Sequence, residues 1–287
     1  MSLLYAVPVI GALAMAVGTI LEKTILRVKN IGIKQYQTLG FLAIIITMLP
    51  FIWFFWRIDS QALTLGSIGI LTLVIIFSIA ANLFTFSSMK WEKVSNLEPA
   101  KILEPLFVII LAIIFSFIID SKLYERNLNI LIPAIIAGLA LIFSHIKKHH
   151  LNFNKYFIFA IVGSFFFALE LVTSRLILNF YSPMSFYFIR CLSIFIISLI
   201  VFRPNLGGIN NKIKSHILIT GAIWVLYRVM IYYGYLHLGI VFTTLTIMLG
   251  PIFIYLFAWK FLREKIEKRN IIAAGIIIAS ILYALLT

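Results

Sequence analysis

Residues 66–89 read GSIGILTLVIIFSIAANLFTFSSM, a block without a single charge. As a helix rising 1.5 Å per residue it would be roughly 36 Å long, enough to cross a hydrocarbon core of about 30 Å. Similar blocks occupy residues 3–25, 36–56, 95–119, 128–145, 156–178, 184–202, 216–237, 239–261 and 270–286. Together they predict ten transmembrane helices. Composition agrees: 62% of the 287 residues are hydrophobic and 12% charged, against about 45–50% and 25% in a soluble domain. The expected fold is therefore an all-α, polytopic membrane protein with no soluble domain attached. The first block lacks a basic start, and Ala12-Leu13-Ala14 is a weak cleavage signal, so it is read as a retained helix rather than a signal peptide.

A formal charge of +14 would suggest nucleic acid in a soluble protein. Here the basic residues sit in short connections between apolar blocks, where they contact lipid headgroups and set topology. Nucleic-acid binding is excluded on that ground. The single Cys191 lies inside an apolar block and supports neither a disulfide framework nor a cysteine metal site. His145, His149 and His150 sit in a basic linker without acidic partners, so no metal is expected there. His237 is read as a helix cap. No nucleotide-binding loop or catalytic motif is present, so the chain is expected to be neither an enzyme nor an ATP-driven pump, and to need no cofactor.

The distribution of Lys and Arg is lopsided. Connection 1–2 carries Lys23, Arg27, Lys29 and Lys34; connection 3–4 carries Lys90, Lys93 and Lys101; connection 5–6 carries Lys147, Lys148 and Lys155. Connection 7–8 carries Arg203, Lys212 and Lys214, and connection 9–10 carries Lys260, Arg263, Lys265, Lys268 and Arg269. The even connections hold only Arg57, Lys122 and Arg126. Positive residues stay inside, so the odd connections are expected in the cytoplasm and both termini outside a cell membrane.

The same pattern predicts duplication. In residues 1–148 the basic connections follow helices 1 and 3; in residues 149–287 they follow that half's helices 2 and 4. Opposite bias in similar halves is the mark of an inverted repeat. Leu103-Glu104-Pro105-Leu106-Phe107 parallels Leu249-Gly250-Pro251-Ile252-Phe253, an offset of 146 residues. Glu22-Lys23-Thr24-Ile25-Leu26 parallels Ser174-Arg175-Leu176-Ile177-Leu178, and the closing spans share small residues around Gly138 and Gly275.

These residues resemble the drug/metabolite transporter superfamily, in particular its ten-helix EamA-like family. Pro251-Ile252-Phe253, Ala258, Glu264 and Gly275 look like the family's Pro-x-Phe helix, boundary acid and last-helix glycine. In the first half Glu104-Pro105-Leu106-Phe107 and Gly138 match, whereas the boundary acid is displaced to Asp120 or Glu125. The resemblance implies two five-helix repeats around a central cavity and secondary active transport of a small metabolite, without naming it.

Ionisable groups at membrane depth cost about 2.5–3.5 kcal/mol each on insertion scales and mark sites. Arg228, Arg190, Glu170 and Glu104 lie deep in their spans, with Lys101 and Glu98 nearer a boundary. Helical spacing aligns Gly221, Trp224, Arg228, Tyr232 and Tyr235, and an Arg among aromatics suits an anionic group on a planar body. The offset of 146 puts Asn82 opposite Arg228, on a face with Ser78, Thr85 and Met89. The candidate substrate residues are Arg228, Trp224, Tyr232, Asn82 and Arg190. Glu104, Glu170 and Lys101 are candidates for proton coupling or buried pairing. Two readings stand for each: Glu170 pairs with Arg190 or Arg228, or carries a proton; Glu104 is neutralised by Lys101, or carries one. Pro105 should free the carbonyl of Lys101 and break span 4. Glu22, Lys23 and Arg175, near helix ends, are expected to snorkel.

The leading expectation is a proton- or gradient-coupled transporter of a small polar metabolite, an amino acid or a nucleoside-like compound, working by alternating access. A lipid-carrier flippase of the same fold is the alternative, and a structural subunit a lesser one. The partners expected are a small-molecule substrate and membrane lipid, with the chain acting as a monomer or homodimer.

Overall fold

The computed structural model describes residues 3–28, 31–92, 94–119, 123–124, 126–145, 154–205, 207, 209–262 and 268–286. Lys29, Lys93, Asp120, Lys122, Glu125, the 146–153 linker with His149 and His150, and 263–267 with Glu264 lie outside them, as do the side chains of Glu98, His145, Ala258 and Lys260.

The described chain is helical: α1 Ala6–Leu26, α2 Ile33–Phe55, α3 Leu65–Trp91, α4 Val94–Lys101, α5 Leu103–Ile118 and α6 Leu128–His145, then α7 Lys155–Leu178, α8 Pro183–Phe202, α9 Asn211–His237, α10 Ile240–Ile247, α11 Leu249–Leu262 and α12 Lys268–Leu286. Eight helices are long and apolar enough to cross a membrane, and two shorter apolar stretches complete ten spans. The fourth and ninth spans are each two helices, α4–α5 and α10–α11, broken at Ile102 and Met248. Each break lies three residues before a proline, Pro105 or Pro251, whose missing N–H and crowding ring disrupt the preceding turn. The Ser164 hydroxyl on α7 donates to the carbonyl of Ala100, 3.1 Å away, so the first break leaves that carbonyl satisfied.

Helix starts follow the capping residues. Thr64, Asn154, Ser182 and Asn210 each accept a backbone N–H of the first turn with their side chains. Asn210 starts α9 at Asn211, earlier than the apolar block at 216 suggests, because Lys212 and Lys214 hide the first turn from a hydropathy reading.

The most extensive packing pairs α3 with α7 and α1 with α9, followed by α6 with α12 and α2 with α8. Small residues make the closest contacts. A Cβ on Gly163 of α7 would sit 3.3 Å from the Ala81 carbonyl oxygen of α3, and one on Gly11 of α1 would sit 3.9 Å from that of Tyr227 on α9. Large apolar side chains such as Trp53, Leu65 and Phe143 point outward, where lipid covers them.

Gly221 sets the distance between α9 and α2. A Cβ there would lie 2.9 Å from the Ala43 carbonyl carbon and 3.0 Å from the Ile44 nitrogen. Main-chain atoms cannot rotate away, so Gly221→Ala must separate the helices and should cost about 1–3 kcal/mol. The check is the melting midpoint in detergent, with Gly275→Ala as the neutral comparison, since nothing lies within 4 Å of a Cβ there.

With ten spans, the odd connections share one face and the even connections the other. On the even face, connections 2–3 and 6–7 are zipped together by an isolated antiparallel bridge between Ile58 and Tyr181. Asp59 N donates to Phe180 O at 2.8 Å and Ser182 N to Arg57 O at 3.1 Å. Ser185 Oγ accepts from Arg57 N at 2.9 Å, and Ser182 Oγ donates to Phe55 O at 2.5 Å. On the odd face, Gln35 Nε2 at the start of α2 donates to Asn205 O in connection 7–8 at 2.5 Å.

Candidate substrate site

A cavity of about 170 Å³ lies between the spans. Its wall comes from the middle of the bundle (Met15, Ile44, Arg228, Pro251) and from the odd-face ends of helices (Glu22, Tyr36, Thr85, Thr220). Both proline breaks border it, through Ile102, Pro105 and Pro251. Non-helical backbone at membrane depth is tolerated where it lines such a space.

Six of the eight residues singled out from sequence lie on this wall: Arg228, Trp224, Asn82, Arg190, Glu104 and Lys101. The other two, Glu170 and Tyr232, are fully buried behind it and hold the arginines. Glu170 Oε1 accepts from Arg190 Nη1 and, at 2.8 Å, from the Tyr232 hydroxyl, which itself accepts from Arg190. Glu170 Oε2 lies 3.2 Å from Arg228 Nη1. Both pairings considered for Glu170 are therefore present at once. The carboxylate ties α8 and α9 to α7.

The two arginines differ. Arg190 is hydrogen-bonded on one edge and stacks 4.9 Å from the Tyr187 ring centre. Arg228 has its ion pair with Glu170 but forms no hydrogen bond among the described residues. Its guanidinium lies 5.3 Å from the ring centre of Phe167 and 5.5 Å from that of Tyr227. A guanidinium has five N–H donors, so most of those on Arg228 await an acceptor.

Asn82 donates to the Ser78 carbonyl at 2.6 Å while facing the same space. Glu104 is half-buried on the wall and makes no ion pair or hydrogen bond among the described residues. Lys101 acts on it across the cavity without closing an ion pair among the described residues, and its Nζ lies 3.3 Å from Met89 Sδ. The Trp224 Nε1 is buried without a hydrogen-bond partner.

The expectation that Glu22, Lys23 and Arg175 snorkel meets a different arrangement: all three are buried. Lys23 Nζ donates to the carbonyls of Met89 and Glu92, closing the end of α3, and Arg175 Nη1 donates to Asn179 at 2.9 Å. Glu22 faces the cavity with Tyr36. Reading Glu22 as a helix-end residue missed this. The available signal was the spacing of Gly11, Met15, Gly18 and Glu22, which puts the acid on the small-residue face of α1. His237 packs against Tyr233, ring centres 4.3 Å apart and planes inclined at 45°. No cluster of metal-ligating side chains occurs among the described residues.

Residues 154–286 match the family described as the EamA-like transporter family. A solved structure described only as "Crystal structure of protein" superposes with a TM-score of 0.69, covering 99% of this chain and 97% of its own at 12% identity, which shows a shared fold. No curated protein matches the chain in sequence. With ten apolar spans around a charged cavity, the chain is a multi-pass membrane protein, and its residues 154–286 carry the pattern of the EamA-like transporter family.

Proposed function

We propose that the protein is a proton- or gradient-coupled carrier of a small polar metabolite, which binds in the central cavity with an anionic group on Arg228. The observation that carries this is Arg228 itself: a buried guanidinium on a cavity wall, held by one ion pair and otherwise without acceptors. Trp224 and Tyr227 supply aromatic faces beside it, and Asn82 and Arg190 add polar contacts. Tyr232 acts from behind by fixing Arg190. Proton coupling is assigned to Glu104, which faces the cavity unpaired, rather than to Glu170.

Alternating access is read as rocking of residues 1–148 against 149–287 as inverted halves. Three features support it. The breaks at Ile102 and Met248 are separated by the offset of 146 that relates the two Pro-x-Phe segments. Exchanging the halves turns the α1–α9 packing into α7–α3; with α1 set on α7 by the parallel of Glu22 with Ser174, the Gly11–Tyr227 contact becomes the Gly163–Ala81 contact. The closed even face and the cavity at the odd face are what one end-state of such a carrier requires. The basic odd face is assigned to the cytoplasm and both termini to the outside of the cell membrane; a reporter at the C-terminus active only in the cytoplasm would reverse this.

The test is thermal stabilisation of the purified protein across a metabolite panel, because a ligand of the folded state raises its midpoint by mass action. The compound that stabilises should then accumulate in proteoliposomes under a pH gradient. Arg228→Ala should weaken its binding by about 10–100-fold, the worth of a hydrogen bond to a charged group. Glu170 keeps Arg190 in that variant, so the amount of folded protein should hold. Unchanged affinity would remove Arg228 from the site.

A further inference from the structure

The central cavity has a second polar station apart from Arg228. Glu22, four residues before the last residue of α1, is 6% exposed and lines the cavity. Its Oε1 accepts from the Tyr36 hydroxyl of α2 at 3.1 Å. A carboxylate offers about four acceptor positions; beside Tyr36, the Trp224 indole and the Lys101 ammonium also act on Glu22, and no ion pair closes on it among the described residues. Its sequence neighbour Lys23 is committed to the Met89 and Glu92 carbonyls. Lys101 borders the same space, but its Nζ rests against Met89 Sδ. A buried acid is costly unless its remaining acceptor positions are filled.

Trp224 lies between this station and Arg228. Its ring packs on Gly18, where a Cβ would come within 3.3 Å of it, and its unpartnered Nε1 is buried. Glu22 is four residues beyond Gly18 toward the odd face, and Arg228 four residues beyond Trp224 toward the even face. The two charged residues are therefore separated by about 12 Å of helix axis, of which the side chains span part. Three acids, Glu22, Glu104 and Glu170, and three bases, Lys101, Arg190 and Arg228, surround the cavity and its backing, so a cargo with one charge of each sign meets partners of both signs there.

We propose that Glu22 and Tyr36 form a cation subsite, and that the cargo is an extended zwitterion whose amine meets Glu22 while its anionic group meets Arg228. This rests on the assignment of Arg228 as the anion site. The class is narrower than a polar metabolite. An α-amino acid, with its charges on one carbon, cannot engage both stations, whereas charges separated by a short chain or a ring can. The Trp224 ring would face the body between them.

The probes are 4-(aminomethyl)benzoate, benzoate, benzylamine and glycine, with affinity taken from the concentration dependence of the melting midpoint of the full-length protein. Wild type should bind 4-(aminomethyl)benzoate at least about tenfold more tightly than any of the others. Glu22→Gln, which keeps an acceptor for Tyr36, should reduce it to the affinity of benzoate, and Tyr36→Phe should fall between. Arg228→Ala should reduce it to the affinity of benzylamine. Equal binding of benzoate or glycine by wild type, an undiminished preference in Glu22→Gln, or no binding of any probe overturns the proposal. If Arg228→Ala keeps full affinity while Glu22→Gln loses the preference, the cation subsite stands and the anion site lies elsewhere.

Discussion

Glu170→Ala should be the most damaging single substitution in the protein, lowering stability by about 3–5 kcal/mol. Glu170 has no solvent exposure and is the shared anion for Arg190 and Arg228, which are 2% and 6% exposed. Removing it leaves two like charges in a medium that solvates neither, and strands the Tyr232 hydroxyl as well. Losing one cation is a smaller fault: in Arg190→Met the carboxylate still has Arg228 and Tyr232, so the loss should be clearly less. The measurement is the melting midpoint of the purified variants, where Glu170→Ala should fall on the order of 10 °C and yield less monodisperse protein. A Glu170→Ala variant that melts with wild type would mean that the three charges contribute nothing to holding α7, α8 and α9 together.

The contrast between that cluster and its surroundings separates what the chain's letters disclose from what they withhold. The ten spans were legible because each is decided locally, by a block long enough to cross the bilayer. The break at Ile102 was legible for the same reason, since Pro105 acts on its own preceding turn, and Pro251 has the same effect at Met248. The deep charges announced themselves by their cost in lipid, and six of the eight chosen residues do border the cavity. Which of them pair was not legible. Glu170 meets Arg190 and Arg228 across 20 and 58 positions of chain, through the packing of three helices that no local pattern encodes. Glu22 was misread for a related reason: its place near the end of α1 suggests solvent, while the contact of α1 with α9 turns it inward. The bridge at Ile58 and Tyr181 lay furthest from view, because it joins two polar connections whose composition marks only that they are turns.

That bridge supplies the test with the largest expected effect on transport. Its hydrogen bonds run from Asp59 to Phe180 and from Ser182 to Arg57, one residue to either side of the paired positions. Ile58 and Tyr181 are therefore a non-hydrogen-bonded pair, for which the Cα atoms stand about 4.5 Å apart with side chains directed together. A disulfide needs about 4.4–6.8 Å, so Ile58→Cys with Tyr181→Cys should oxidise without moving the backbone. Cys191 is fully buried in α8 and should not compete. The oxidised double variant should still bind ligand, because the cavity wall reaches the odd face and the new bond lies on the even one. Its transport should fall to background and recover on reduction, with the reduced protein as the reference for any cost of replacing Tyr181. A carrier that must part connections 2–3 and 6–7 in every cycle cannot turn over with them tied. If the oxidised protein transports at the reduced rate, the even face never opens there, and the cargo leaves the cavity by another route.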